Sequence, residues 1–473
     1  MKDRAQRAKE IAQLPQAERV AVIEEILTRL DELEAEVGEL KAKAKQDSSN
    51  SSRPPSTDLP NKQYKRKPPK SPSGRKRGGQ KGHPKHSRPL VEPDKVDQVI
   101  TCKPDECGHC GSSLAGDDPQ PIRHQVAEIP PITPLVTEYQ IHQLDCSRCG
   151  ETTRGQLPAG APVGSFGLRL TAILALLSGG CRLGKRTIGQ LAQQLFGLTI
   201  SLGMICKLER RTAEALEEPV AELAEYIRCE HTNIDETSWR ENKRRCWLWV
   251  VVAPLVTLFK IAARRNANVA KELLGDDYNQ VATSDRHGAY DWITLRQICW
   301  SHLRRDFQAL IDRGGPGKRI GEELLSISDV LFAWWHRVRD GTLARSTFRK
   351  YVGCLHNELV GTLQEGLECG CAKTQRICKR MLKEEKHFWT FARIEGVEPT
   401  NNEGERTVNV AVRWRKMSAG TDSETGSRFV ERILSVVATC RQQRRDLLDY
   451  LVACLTARLD GSPPPSLLPT GPQ

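Results

Sequence analysis

The chain has 473 residues, with 71 Lys and Arg against 59 Asp and Glu and a formal net charge of +12, enough length for about three domains at roughly 150 residues each. Its longest apolar stretch, Trp247 to Phe259, is broken by Pro254 and falls short of the ~18 residues of a membrane span, while the opening MKDRAQRAKE lacks the apolar run of a signal peptide; an integral membrane protein is excluded and secretion disfavoured. The 16 cysteines are too few for a disulfide scaffold, and paired cysteines in a reducing compartment more often bind metal.

Residues 1–45 read as a coiled-coil helix. Ile23, Leu30 and Val37 take the a positions and Ile26, Leu33 and Leu40 the d positions, with Glu and Lys filling much of the rest. Three such heptads favour self-association into a homo-oligomer over packing on a domain of the same chain. Residues 46–94 follow as a disordered basic linker, dominated by Ser, Pro, Gly and Lys. Between residues 46 and 90 stand seven Lys and five Arg against two Asp, so this stretch carries most of the net charge. Lys65, Arg66, Lys67, Arg75, Lys76, Arg77 and Lys81 are its densest part, and such a density favours an arm that neutralises phosphates over a solubilising spacer.

Residues 95–157 form a cysteine-bearing unit. Cys107 and Cys110 make one C-x-x-C pair and Cys146 and Cys149 a second, with 35 residues between Cys110 and Cys146 and a Gly after each pair (Gly111, Gly150). Four thiolates in two such knuckles can close a tetrahedral structural Zn²⁺ site. Cys102 and His109 are spare candidates. The alternation in PITPLVTEYQIHQLDC predicts a strand entering the second knuckle. Residues 165–228 are helical throughout. A helix ending at Phe196-Gly197 and a second starting at Ser201 have the form of a helix-turn-helix, a pattern that fits DNA contact and plain packing equally.

From residue 229 the runs HTNIDET, CWLWVVVAP, VTLFKIAARR and VATSD predict strands with a helix at NVAKELLGDDY, so residues 229–440 read as an α/β sheet domain. Residues 306–395 are a helical insertion with Trp334, Trp335, Phe348 and Tyr351 to pack it. Residues 400–458 give two more helices, and residues 441–473 are a C-terminal helix and Pro-rich tail. Asp235 ends the first strand and Asp285 a later one, where ligands of α/β sheets bind. Carboxylate oxygens suit Mg²⁺ or Mn²⁺. A third acid comes from PTNNEGER, where Thr400 and Glu403 form a capping box and put Glu405 in the first turns of a helix. Each acid alone is more simply a solvated or capping carboxylate; the combination carries the reading. Cys299 and His302 form a C-x-x-H read as a structural pair beside the sheet, and Cys369, Cys371, Cys378 and His387 as free side chains in preference to a second zinc site.

The runs DETSWRENKRRCWLWVVV, SDRHGAY, CWSHLRRDF and TNNEGER, in that order, resemble the transposases of the insertion sequence 66 family. The two knuckles, GGQKGHP at 78–84 and GSRFVERILSVVATCRQQ extend the resemblance over nearly all the chain from about residue 75. It implies a ribonuclease H-like catalytic core with a DDE triad of Asp235, Asp285 and Glu405, Glu403 being a nearby decoy. It implies Mg²⁺- or Mn²⁺-dependent cleavage and strand transfer at the ends of a DNA element, in a bacterial cytoplasm at the nucleoid, with accessory proteins of the element as further partners. Arg304, Arg305 and Arg406 are candidate phosphate contacts near the triad. One departure is Asn409, where the family often has Arg. The rival readings are an inactive DNA-binding derivative or repressor, and a nuclease without strand transfer.

Overall fold

The structure is a computed structural model that describes residues 11–44, 46–47, 50–51, 88–162 and 164–469. Two compact units form, Pro60–Leu135 and the combination of Met1–Leu59 with Val136–Gln473. Helix α1 spans Gln16–Ala44. Its a and d side chains all stay open to solvent, from 44% exposed at Val37 to 57% at Leu40. In the basic stretch that follows, Lys65, Arg66, Lys67, Arg75, Lys76, Arg77 and Lys81 lie outside the described residues.

The strand expected in PITPLVTEYQIHQLDC is much shorter than its alternation suggested. Only Gln143–Asp145 (β1) is paired, antiparallel to Thr152–Arg154 (β2). Upstream, Ile132 and Leu135 are 53% and 95% exposed; alternation makes a strand only where one face is buried and a neighbour takes its hydrogen bonds. Helices α2 (Leu168–Ala175, extended by a π-turn over Leu176–Gly180), α3 (Lys185–Phe196), α4 (Leu202–Ala215) and α5 (Glu217–Ile227) follow. Gly197 closes α3 with φ +68°, and the Ser201 hydroxyl accepts the Met204 N–H at 3.2 Å to cap α4, as the turn-and-cap pattern predicts. Ala172, Ala175, Ala213, Leu216, Leu223 and Ile227 of these helices share one buried core with the sheet that follows.

That sheet consists of β3 (Thr232–Glu241), β4 (Arg244–Val252), β5 (Thr257–Ala262), β6 (Ala282–Ser284) and β7 (Arg296–Ile298), in the order β5-β4-β3-β6-β7. The first three strands run antiparallel, while β6 and β7 run parallel to β3. The apolar run CWLWVVV becomes the interior strand β4, between β5 and β3, with Trp249, Val250 and Val251 fully buried, as expected for a strand covered on both faces. Helix α6 (Ala267–Leu274) crosses from β5 to β6. This mixed sheet flanked by helices agrees with the ribonuclease H-like core that the resemblance implies. Strand β7 carries no sequence signal: it has three residues, two of them the buried polar Arg296 and Gln297.

After β7 come α7 (Trp300–Arg313), α8 (Pro316–Arg339), α9 (Arg345–Glu368), α10 (Ala372–Glu384) and the short α11 (Thr390–Arg393). They build a second core around Leu324, Leu331, Trp335, Phe348 and Phe391. This insertion returns to the edge of the sheet. Gln297 donates to the Phe388 carbonyl at 3.1 Å and accepts the Phe391 N–H at 2.8 Å, and the Thr390 hydroxyl donates to the Arg296 carbonyl of β7 at 2.6 Å, so backbone groups of both the insertion and the strand are satisfied.

Residues 400–458 give three helices where two were expected: α12 (Asn402–Ser418), α13 (Glu424–Gln443) and α14 (Leu447–Asp460). The two breaks fall at Ala419 and Arg444, whose φ values are +59° and +56°. Helix α13 covers edge strand β5. Thr439 and Ser435 hydroxyls accept the N–H groups of Thr257 and Phe259 at 3.0 and 2.9 Å, and the Glu431 carboxylate accepts that of Ile261. Spacing of four along the helix thus meets spacing of two along the strand, and the edge is closed to further pairing. At Gly179 an added Cβ would come within 2.2 Å of the Ile433 side chain, so α13 and the π-turn touch only because that position is glycine.

Candidate active site

The parallel register sets the site. Thr232 pairs with Ala282 and Asn233 with Thr283; continued along the strands, that register brings Asp285, the first residue beyond β6, beside Asp235. On its other side Ser284 pairs with Ile298, so Cys299 is next in the row, its N–H donating to the Ser284 carbonyl at 2.9 Å. Asp235 does not end its strand, which runs on to Glu241 against β4; it stands just past the part of β3 that pairs in parallel.

The third acid is delivered by one asparagine. Asn401 is completely buried. Its side-chain amide donates to the Ile234 carbonyl at 2.9 Å, and its backbone N–H to Cys299 Sγ at 3.2 Å. Glu405 lies one turn further along α12, its N–H on the Asn401 carbonyl at 2.9 Å. Gly404 makes room for the anchor, because a Cβ there would fall 2.7 Å from Asn401 Oδ1. The expected capping box at Thr400 does not form: Asn401 is the residue that precedes the helix, and no side chain caps it. The anchor on Ile234 and Cys299 fixes this helix start instead.

Electrostatics identify which acids meet. Burial, then the charges of Glu236 and Asp285, push the Asp235 carboxyl well above its ordinary value, and the charge of Glu405 adds to this. Glu403 is not among these principal influences; with Arg406 it lines a cavity beside Glu230, His231 and Glu398. Glu236 is a fourth acid that sequence reasoning passed over, although it adjoins Asp235. Its side chain is fully buried, paired with Arg265 and taking a hydrogen bond from the Tyr290 hydroxyl; burial, then the charge of Asp285, raises its carboxyl. Arg265 also reaches Asp285 at 3.5 Å and lies over the Trp247 ring, 5.1 Å from its centroid. No sequence signal marks Arg265, since only the fold brings it to the acids. The donor set is oxygen, its negative charge only partly met by Arg265, and Glu405 Oε1 is buried without a hydrogen-bond partner. Those are the conditions that a hard divalent cation such as Mg²⁺ or Mn²⁺ fits.

The basic candidates separate. Arg305 faces Glu405 at 3.8 Å and His302 Nε2 at 3.2 Å. Arg304 turns to α8, paired with Asp329 at 2.6 Å and stacked near Phe332. Cys299 and His302 lie beside the third acid: Cys299 Sγ, a His302 nitrogen and a Glu405 oxygen fall within 4.8 Å of one another. Burial opposes charging of His302, but the nearby Cys299 sulfur outweighs it and pushes the imidazole up to about 9. Cys369, Cys371, Cys378 and His387 do not form such a group among the described residues, and burial pushes the Cys378 thiol up to about 11.

A family model described as transposase IS66 family matches residues 166–428, more than half of the chain. The chain belongs to that family. A second model, the zinc-finger binding domain of transposase IS66, matches residues 104–150, and a third, a family of unknown function (DUF6444), matches residues 6–89. No curated protein matches the chain. The protein is therefore a DDE-type IS66-family transposase, and its cysteine-rich segment is the zinc-finger region of such enzymes.

Within this transposase the two knuckles repeat one local geometry. Cys107 N–H donates to the Ser112 carbonyl at 2.8 Å and Gly111 N–H to the Cys107 carbonyl at 2.9 Å; Cys146 and Gly150 do the same with Glu151 and Cys146 at 2.9 and 2.8 Å. Gly111 and Gly150 have φ values of +72° and +77°, which is why glycine follows each pair. Hydrogen bonds from Ser112, then from Cys107, lower the Cys110 thiol to about 7, and backbone N–H groups of Arg148 and Cys149 lower Cys146. Thiols held nearer their thiolate form are suited to ligate a metal. Among the described residues no helix of the transposase is long and apolar enough to cross a membrane.

Proposed function

We propose that Asp235, Asp285 and Glu405 are the triad with which this transposase cuts element ends and joins them to target DNA. The observation that carries the reading is the convergence of three acids from distant parts of the chain. The β3–β6 register sets Asp285 beside Asp235, and Asn401 docks Glu405 so that its charge reaches Asp235. The three carboxylates would hold a pair of Mg²⁺ or Mn²⁺ ions. Such ions supply a hydroxyl or water of lowered pKa and charge stabilisation for the in-line displacement at phosphorus. The protein's own part is positioning. Glu236 pairs with Arg265 and holds it 3.5 Å from Asp285, where it meets part of the negative charge of the acids. Arg305 stands at the rim, where a phosphate oxygen can meet it.

DNA is the natural partner of a transposase; we assign its parts as follows. The stretch 46–94 supplies sequence-independent phosphate contacts through Lys65, Arg66, Lys67, Arg75, Lys76, Arg77 and Lys81. Cys107, Cys110, Cys146 and Cys149 close one structural Zn²⁺ site in a domain over 95–157. Helix α4, the second of the pair, presents Lys207 and Arg210, both exposed, to DNA. Helix α1 pairs with another copy as a coiled coil, its exposed a and d stripe being the surface that such pairing covers. The enzyme acts on nucleoid DNA in the cytoplasm, with or without accessory proteins of its element.

The test is cleavage of duplex DNA carrying the terminal sequences that flank the gene. Asp235→Asn, Asp285→Asn and Glu405→Gln each keep shape and lose the charge that holds the cation. Each is expected to lower Mg²⁺-dependent cleavage at least about a thousandfold, the ~4 kcal/mol scale of losing a buried charge partner, while a gel shift persists. Normal cleavage by Glu405→Gln with loss in Glu403→Gln would move the third position to Glu403.

A further inference from the structure

His302 and Cys299 stand outside the triad, yet both face its third member. His302 Nδ1 is 3.6 Å from Glu405 Oε1. Both atoms are buried, and neither has a hydrogen-bond partner. One unpaired buried polar atom is costly; two that face each other just beyond hydrogen-bond length form an interaction that a small side-chain movement completes.

The other ring nitrogen decides what Nδ1 carries. Arg305 Nη1 lies 3.2 Å from His302 Nε2, and a guanidinium has only hydrogens to give. Nε2 of the neutral ring therefore accepts, and the ring hydrogen sits on Nδ1. In the charged ring Nδ1 carries a hydrogen as well. In both states an N–H points at the Glu405 carboxylate. Cys299 closes the back of the pocket: it is fully buried, and its sulfur takes the Asn401 N–H at 3.2 Å. The same backbone contact that places α12 thus also places the imidazole's neighbour.

We infer that His302 is a positioning residue for Glu405: its Nδ1–H fixes Oε1 and leaves the remaining carboxylate lone pairs directed toward a cation shared with the two aspartates. This rests on Glu405 being the third acid. Partners of this kind around a ligating side chain typically hold a factor of 10 to 100 in metal affinity. A metal ion seated between Cys299, His302 and Glu405 is the competing use of the cluster, and it would need on Nδ1 the lone pair that the Arg305 contact turns into an N–H.

The experiment measures Mn²⁺ binding to the full-length protein by calorimetry, with no DNA present, beside zinc content by elemental analysis. His302→Phe keeps the ring's volume and loses the N–H; it is expected to weaken the Mn²⁺ site that Glu405→Gln removes by about tenfold or more. His302→Asn keeps an N–H donor and is expected to recover most of the affinity, a rescue that a purely packing role would not give. Equal Mn²⁺ affinity in wild type, His302→Phe and His302→Asn, with the site lost in Glu405→Gln, overturns the positioning role and leaves the triad standing. Unchanged Mn²⁺ binding in Glu405→Gln overturns the triad reading itself. One more zinc per chain in wild type than in Cys299→Ser also overturns the proposal, in favour of a metal site at the cluster. Unfolding midpoints measured on each variant establish that a change in binding comes from a folded chain.

Discussion

Glu431 and Asp235 are both carboxylates in the interior, and their neighbours give them opposite tasks. Glu431 is 5% exposed and receives the Ile261 N–H of the edge strand. Burial pushes its carboxyl from an ordinary 4.5 up to about 7, against the pull of Arg428. The folded state therefore binds this proton more tightly than the unfolded chain. Stability falls as pH rises from about 4.5 to about 7 and levels above that, a loss on the order of 3 kcal/mol. Glu431→Gln keeps an acceptor for Ile261 and has no charge to bury. Urea unfolding is expected to show it more stable than wild type at pH 8, with the gain shrinking toward zero near pH 5. A gain of the same size at both pH values would mean that the carboxyl is not titrating in the core. Asp235, in contrast, is raised by the neighbouring acids Glu236, Asp285 and Glu405 as well as by burial, although it too accepts a backbone N–H, that of Glu236 at 2.8 Å. Crowding by other acids, and not burial or a backbone partner, is what sets it apart from Glu431.

At the scale of elements, short motifs act by fixing backbone direction. The knuckles turn on a positive-φ glycine and on amides donated inward, so the cysteines are presented by the turn and the strands β1 and β2 only need three residues each. Elemental analysis of purified full-length protein is expected to give about one zinc per chain, and less than about a tenth of that in Cys146→Ser, since a structural site loses most of its affinity with one thiolate. Full zinc occupancy in the variant would place the metal elsewhere. The helix α12 start shows the same economy. TNNEGER contains its anchor, the space for the anchor and the acid that the anchor aims, as Asn401, Gly404 and Glu405.

For the whole molecule, the open question of assembly falls on α1. Seven-residue spacing leaves Ile23, Leu30 and Val37 on the same stripe as Ile26, Leu33 and Leu40, and every one is at least 44% exposed. Covering six such side chains contributes several kcal/mol per helix at about 25 cal/mol per Å², enough to drive pairing at cellular concentrations. Removal of residues 1–45 is expected to lower the molar mass seen by light scattering from a multiple of 53.0 kDa toward a single chain. An unchanged multiple would assign self-association to another surface.

Much of this transposase is written locally. The heptads of α1, the paired cysteines with their glycines, the Gly197 and Ser201 turn and the run CWLWVVV each name their structure, because spacing along one helix, turn or strand suffices to decide it. The family was also legible, since its motifs are a few residues long, and the proposed acids Asp235, Asp285 and Glu405 stand within them. Other features needed the folded chain. Strand β7 is held by an insertion about ninety residues away, through Gln297 and Phe391, and no periodicity of three residues announces it. The length of β1 was misread because alternation says nothing about whether a neighbouring strand exists. Glu236 and Arg265 come to Asp285 only because β3 pairs with β6 and the chain passes from β5 across to β6, and His302 faces Glu405 only because Asn401 binds Cys299 and Ile234 together. The sequence determined the family and the local turns, caps and helices, because spacing and residue type are local. The tertiary structure decided which carboxylate faces which cation or histidine, because burial and charge at a site are sums over segments that are far apart in the chain.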